Sequence, residues 1–298
     1  MPSFELALDE EFEKEFGAPF IDIHRAYLHR ALSDAVGKND GDTIRLNKRL
    51  VNLSEDMDQV RLEFEDSSVE EAKCVLAADG MHLTIRSVLY DEFGAEFTGH
   101  VAYRGLVTTA AVGGELMGTD FNIWTGPGAH FIAYYLRRGD FLNYITIIED
   151  PDWQTESWTS PTKKQELVSQ FEGWDPIVCA FIAQTSKDEC FKWTLLVRKP
   201  LQHWSSDRII LLGDAAHPMV PYLAQGAVMA MEDGWVFLHV ASRHDDAKSA
   251  LSAYEQARLE RTSKVQKAAW EEGQKEHSVD KEKDAEKFKG GSFAKVAW

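Results

Sequence analysis

The chain has 298 residues, 44% of them hydrophobic, enough to bury a large core in about two domains. Its net charge of −17 argues against nucleic acid or an anionic membrane surface as the main partner. Three cysteines with no CxxC pair argue against a disulfide framework or a zinc site. The start, MPSFELALDEEFEKEF, has neither the basic nor the apolar segment of a signal peptide, and no apolar stretch approaches the roughly 20 residues that span a bilayer. A cytoplasmic protein without membrane association is expected, with Cys74 a buried free thiol in a strand-like run.

Residues 21–37 carry apolar side chains at helical spacing, with Gly37 as the expected stop. Alternation predicts strands over 43–53 and 59–65, and a further apolar run rises to Asp79-Gly80. Between about 99 and 196, aromatic and β-branched residues alternate with polar ones, broken by turns at Gly113-Gly114, Gly126-Pro127-Gly128 and Arg138-Gly139-Asp140. This predicts an antiparallel sheet with a helical insertion near 162–184. A buried strand at 208–212, a helix over 226–242 and a second over 247–272 follow. The Lys/Glu-rich tail from 273 to 298 is expected to be solvated.

The stretch LLGDAAHPMVPYLAQGAVMAMEDG (211–234) carries the most chemistry. Asp214 ends an apolar strand beside Gly213, where a carboxylate needs hydrogen-bond donors such as sugar or ribityl hydroxyls; a turn or N-cap aspartate is the alternative. Gln225-Gly226 opens a helix whose free N–H groups favour negative charge, and Gly226 admits a flat ring or an anion close to the backbone. Pro218 and Pro221 stiffen the connection. His217 is read either as a catalytic residue at the ligand's edge or as a hydrogen-bonded structural histidine. Glu232-Asp233, inside an apolar helix, suggests pairing with a cation. His24 and His29 are five apart, not at the i, i+4 spacing of helical metal ligands, and no metal is expected.

Residues 208–234 resemble the Gly-Asp motif of class A FAD-dependent aromatic hydroxylases, particularly the salicylate hydroxylase-like branch. CVLAADGMHLTIRSVLY (74–90) resembles that family's Asp-Gly motif, IDIHRAYLHRAL (21–32) its arginine helix, and residues 250–270 its C-terminal helix. The four blocks stand in the family's order over most of the chain. The resemblance implies an α/β fold: a Rossmann-like FAD-binding domain at 1–98, continued at 201–272, around an antiparallel substrate sheet at 99–200. It implies FAD held by Arg25, Asp79, Gly80, Arg86, Gly213, Asp214, Pro221, Gln225, Gly226 and Ala227. Asp79 and Arg86 would lie near the pyrophosphate and the NAD(P)H path. It implies hydroxylation of a small aromatic with NAD(P)H and O2 through a flavin C4a-hydroperoxide, with Tyr103, Arg104, His130, Tyr134 and Tyr135 lining the substrate side. Tyr134 and His130 are the candidates for deprotonating a phenol, and only one of Tyr134 and Tyr135 can face the pocket. Sheet packing is the alternative for each.

The family's opening Gly-x-Gly-x-x-Gly turn is not found; the glycines at 126–128 lie in the sheet-like region and open no helix. The FAD-binding domain is therefore expected to be incomplete. The second reading is a truncated, catalytically silent member or binding protein that does not retain FAD. A homodimer or a complementing N-terminal chain is the protein partner left open.

Overall fold

The computed structural model describes residues 10–21, 23–39, 43–80, 84–90, 94–113, 121–153, 160–161, 164–186 and 190–276. Trp158, residues 81–83 of the Asp-Gly motif and the tail beyond 276 lie outside them. The architecture is mixed α/β, in two units: one of Met1–Ile44 and Phe97–Leu195, the other of Arg45–Glu96 and Leu196–Lys275.

The first unit is built on a six-stranded sheet. Its strands are β5 (Glu96–Thr108), β6 (Asn122–Gly126), β7 (Ala129–Leu136), β8 (Phe141–Glu149), β9 (Ser160–Pro161) and β10 (Phe191–Val197), in the order β6-β7-β8-β5-β10-β9. The β6/β7, β7/β8, β5/β8 and β9/β10 pairs are antiparallel. Residues 126–128, the nearest glycine cluster in the sequence, end β6 and turn into β7. Alternation sends Val101, Tyr103, Phe131, Ala133, Leu142 and Tyr144 to one face, where they share a core with Leu167, Phe171, Val178 and Phe181 of α4 (Lys164–Gln170), α5 (Pro176–Gln184) and the bend between them. Phe131 is central, stacked on Tyr144 at 4.8 Å and edge-on to Phe171 at 5.7 Å. Gly105 has no side chain because the Tyr144 ring occupies that space. Asp175 caps α5 by accepting from Ile177 N–H (2.8 Å), with Pro176 in the first turn.

Two more helices belong to this unit: α1 (Glu10–Phe16), which buries nothing, and α2 (Arg25–Asn39). The helix α2 runs through Gly37, against the expected stop there.

The second unit holds an antiparallel sheet, β1-β2-β3 (Leu50–Glu55, Val60–Phe64, Val69–Ala72), and a parallel pair, β4 (Val75–Ala77) with β11 (Ile209–Leu211). The strand expected from residue 43 starts only at Leu50, because Asn47 is left-handed (φ 59°) and breaks the extension. The run expected to rise unbroken to Asp79 is split at Lys73-Cys74 between two sheets. Cys74 sits in that bend and is exposed, which corrects the buried thiol expected from its apolar neighbours. Around the parallel pair lie α3 (Thr84–Leu89), α6 (Gly226–Ala241) and α7 (Ala247–Glu276). Trp204, Tyr254, Leu251 and Ile209–Leu211 form the core.

Candidate functional site

Parallel pairing of β4 and β11 brings two distant motifs to one place. Ile209 pairs with Val75 and Leu211 with Ala77, and Leu212 N–H donates to the Ala77 carbonyl at 2.8 Å. The chain therefore leaves both strands at the same edge, Ala78-Asp79-Gly80 after β4 and Gly213-Asp214-Ala215 after β11. Ligands of open parallel sheets bind outside such carboxyl ends. Gly80 (φ 72°) and Gly213 (φ 56°) are left-handed, the conformation that selects glycine. Asp79 Oδ2 accepts from Ile85 N–H at the start of α3 (3.2 Å), and the buried Arg86 donates to the Ala215 carbonyl (3.2 Å), 129 residues away in sequence.

The helix α6 starts beside these turns. Ala224 is left-handed (φ 52°), Pro221 begins a short 3-10 turn, and Gln225 occupies the N-cap without a side-chain hydrogen bond to the helix. The first N–H groups of α6 are thus uncapped by this side chain, and no acidic residue lies in the first turn. Asp214 is exposed, with Oδ1 3.8 Å from where a Cβ on Gly226 would stand. That Cβ would meet only ordinary contacts, Met219 at 3.7 Å and Asp214, so the protein's own packing does not require glycine here. Ala227 is exposed.

The turn after β11 is anchored from behind. His217 is 1% exposed, and its Nε2 lies 2.7 Å from Asp233 Oδ2, so its ring is held in the interior. Glu232 and Asp233 do pair with cations, Arg258 and Arg261 of α7. Burial pushes the Asp233 carboxyl up, but hydrogen bonds from His217, Gly213 and Arg258 outweigh it and hold the group below its ordinary value. Glu232 is likewise raised by burial and brought below its ordinary value by Arg261 and Arg258. Gln266 of α7 donates to the carbonyls of Arg198 and Pro218, both at 2.8 Å. Arg258 and Gln266 were not singled out in the sequence; their place among the charges of a long helix gives no sign that they point inward.

In the first unit the sheet sorts the aromatic candidates by face. Tyr103 and Tyr135 turn to the face covered by α4 and α5, Tyr103 fully buried, and this corrects their reading as substrate-lining residues: odd positions of β5 and β7 point under the helices. Arg104, His130 and Tyr134 take the opposite face. Arg104 is exposed over the Phe191 ring (5.4 Å), Tyr134 stacks on Phe121 (5.5 Å), and His130 is buried. Tyr103 instead belongs to a cage that sequence reasoning missed. The buried Lys192 lies 3.9 Å from the Trp153 ring centroid and 5.3 Å from that of Tyr103, and bonds Asp150 at 2.8 Å. Burial pushes the ammonium down, but bonds to Asp150 and Tyr103 raise it above its ordinary value. Arg25, the first residue of α2, is exposed.

The model of the FAD binding domain family matches residues 9–269. A 3-amino-4-hydroxybenzoate 2-monooxygenase of Streptomyces platensis is 34% identical over 274 residues, 92% of this chain and 68% of its own length. The chain belongs to the FAD-dependent aromatic hydroxylase family. A 6-hydroxynicotinate 3-monooxygenase of Bordetella bronchiseptica is 37% identical over 85% of the chain, which spans 66% of that relative. Among solved structures, a salicylate hydroxylase substrate complex superposes with a TM-score of 0.75 at 26% identity, covering 93% of this chain and 75% of that one. Klebsiella pneumoniae HpxO, complexed with FAD and uric acid, shares the fold, with a TM-score of 0.80 at 24% identity over 96% of this chain and 71% of its own. The chain carries an FAD-binding domain and spans about two thirds of the length of the curated relatives it matches.

Proposed function

We propose that this chain holds FAD outside the carboxyl ends of β4 and β11 and hydroxylates a small aromatic with NAD(P)H and O2. The observation that carries this reading is the meeting of the Asp79 and Asp214 turns with the uncapped N-terminus of α6. The residues present fit the cofactor. Gln225 Oε1 and Asp79 Oδ1 are buried acceptors that meet no donor among the described residues. Flavin N–H and ribityl hydroxyl groups are donors. The α6 N–H groups suit the opposite need, an electron-rich carbonyl edge or an anion. Gly226 keeps a space free that its own neighbours do not fill. Asp214 takes ribityl or pyrophosphate-side hydroxyls, Gly80 and Gly213 keep the turns open, Pro221 stiffens the approach, and Ala227 adds a backbone donor. Asp79 and Arg86 serve the pyrophosphate side.

When bound, FAD supplies electron transfer and oxygen activation. The chain's own part is orientation and proton handling. The relatives are named for acting on hydroxylated benzoates and a hydroxynicotinate. Their shared chemistry, a carboxylate and a ring hydroxyl, suits the sheet face opposite α4 and α5: Arg104 pairs with the carboxylate, and Tyr134 or His130 takes the phenolic proton. His217 acts through Asp233 and does not touch substrate.

The test is the visible spectrum of the purified chain before and after incubation with FAD, followed by NAD(P)H consumption with a panel of hydroxylated aromatic acids. Flavin bands near ~450 nm that survive desalting support the reading. A folded chain that stays colourless after FAD incubation overturns it and leaves a family member that does not retain FAD.

A further inference from the structure

Asp233 stands in α6, 0% exposed, and its carboxylate receives three donors, two from the turn after β11 and one from α7. Oδ2 accepts from Gly213 N–H (2.8 Å) and from His217 Nε2 (2.7 Å), and Oδ1 accepts from Arg258 Nε (2.7 Å). An ionised carboxylate only accepts, so the hydrogen of the short His217 contact sits on Nε2. His217 Nδ1 meets no partner among the described residues, and the Asp233 bond sets the ring's orientation. Arg258 also reaches Glu232 (2.6 Å) and the Met229 carbonyl (3.2 Å), and Arg261 grips Glu232 at 2.9 and 3.0 Å. With a neutral histidine the two carboxylates and two guanidiniums balance, which is the condition for keeping such a group buried.

The position of Gly213 gives the network its consequence. Gly213 is the left-handed residue immediately before Asp214, and a Cβ on it would come within 3.2 Å of Ala230 Cβ on α6. A glycine takes positive φ about as readily as negative φ, so which conformation it holds is set by its surroundings. Here those surroundings are the Asp233 carboxylate and the flank of α6. We propose that Asp233 is the positioning residue of the flavin site. By binding Gly213 N–H and His217 together, it fixes where Asp214 stands relative to the N-terminus of the helix that Asp233 itself belongs to. The proposal rests on the flavin-facing reading of Asp214 and Gly226.

Asp233→Asn is the direct probe. An amide cannot accept on both sides, so it sets an NH2 either against Gly213 N–H and His217 or against Arg258. Amide hydrogen exchange and FAD titration are measured on the whole chain, and the absorption band of bound FAD is recorded. In Asp233→Asn, exchange is expected to rise on the order of tenfold over Gly213–His217 while β11 stays protected, FAD affinity to fall on the order of tenfold or more, and the bound-flavin band to shift. His217→Gln, whose amide can donate from near the Nε2 place, should keep affinity within about twofold of the parent, and His217→Ala should lose it. This pair carries the test if Asp233→Asn does not fold. Exchange that rises evenly through the unit, with bound-flavin affinity and spectrum unchanged, shows a merely structural carboxylate and overturns the proposal. A parent chain that takes up no FAD overturns the flavin reading and this proposal together; a parent that binds FAD with variants that match it overturns this one alone.

Discussion

At Gly226 stability and binding pull in opposite directions. A Cβ there meets only ordinary contacts and the position is helical, so Gly226→Ala should leave stability unchanged or raise it by roughly 0.5–1 kcal/mol. The same methyl enters the space assigned to the cofactor, so FAD affinity should fall; a thermal melt and an FAD titration of one variant read both signs. Asp214 is exposed, and Asp214→Ala should abolish flavin retention through desalting with little change in melting temperature. Asp233 makes the acid limb predictable. Its carboxyl is held below the ordinary 3.8, so its contribution is fully present above that value and is lost as pH falls through the lower, folded one. His217, Arg258, Glu232 and Tyr254 face it and share that loss. Asp233→Asn should flatten the loss of stability below about pH 4 in a pH series of denaturant melts.

At the scale of elements, two helical glycines separate packing from propensity. Gly273 of α7 lies against the Tyr222 ring, which already fills the place of a Cβ, whereas nothing lies within 4 Å of a Cβ at Gly234 of α6. Alanine is the better helix former by roughly 1 kcal/mol, so Gly234→Ala should raise the melting temperature. Gly273→Ala should lower it, because displacing a buried aromatic ring costs on the order of 1–3 kcal/mol. A result of the same sign for both would contradict the packing of α7 on Tyr222. The broad outline of these elements was legible: the buried strand before Gly213, the helix from Gly226, the long helix after 247 and a helical insertion near 162–184 follow from apolar period and breakers, though its division into α4 and α5 does not. The limits of β1 and of the run before Asp79 were not. Asn47 and Lys73-Cys74 turn the chain at residues with no glycine or proline to mark the turn.

At the scale of the whole molecule, an apolar stripe of α6 lies exposed among the described residues. Val228, Met231, Trp235 and Leu238 recur along α6 at alternating intervals of three and four, all exposed, Trp235 at 72% and Leu238 at 67%. Contiguous apolar surface of this kind binds other apolar surface. The isolated chain should enhance the fluorescence of a hydrophobic dye and associate with rising concentration in light scattering. Trp235→Glu with Leu238→Glu should suppress both. Among the described residues no helix is long and apolar enough to cross a membrane.

The sequence by itself determined what depends on neighbours along the chain: the β-turn-helix order around Asp214, the carboxylate and glycine types at the site, the alternation of the large sheet, and the family. Only the tertiary structure decided what depends on distant partners. Parallel pairing in register put the Asp79 turn beside the Asp214 turn. The choice of sheet face under α4 and α5 turned Tyr103 and Tyr135 inward and left Arg104 and Tyr134 outward. Arg258 and Arg261, indistinguishable in sequence from other charges of α7, close on Glu232 and Asp233, because a buried carboxylate must find donors wherever the fold brings them.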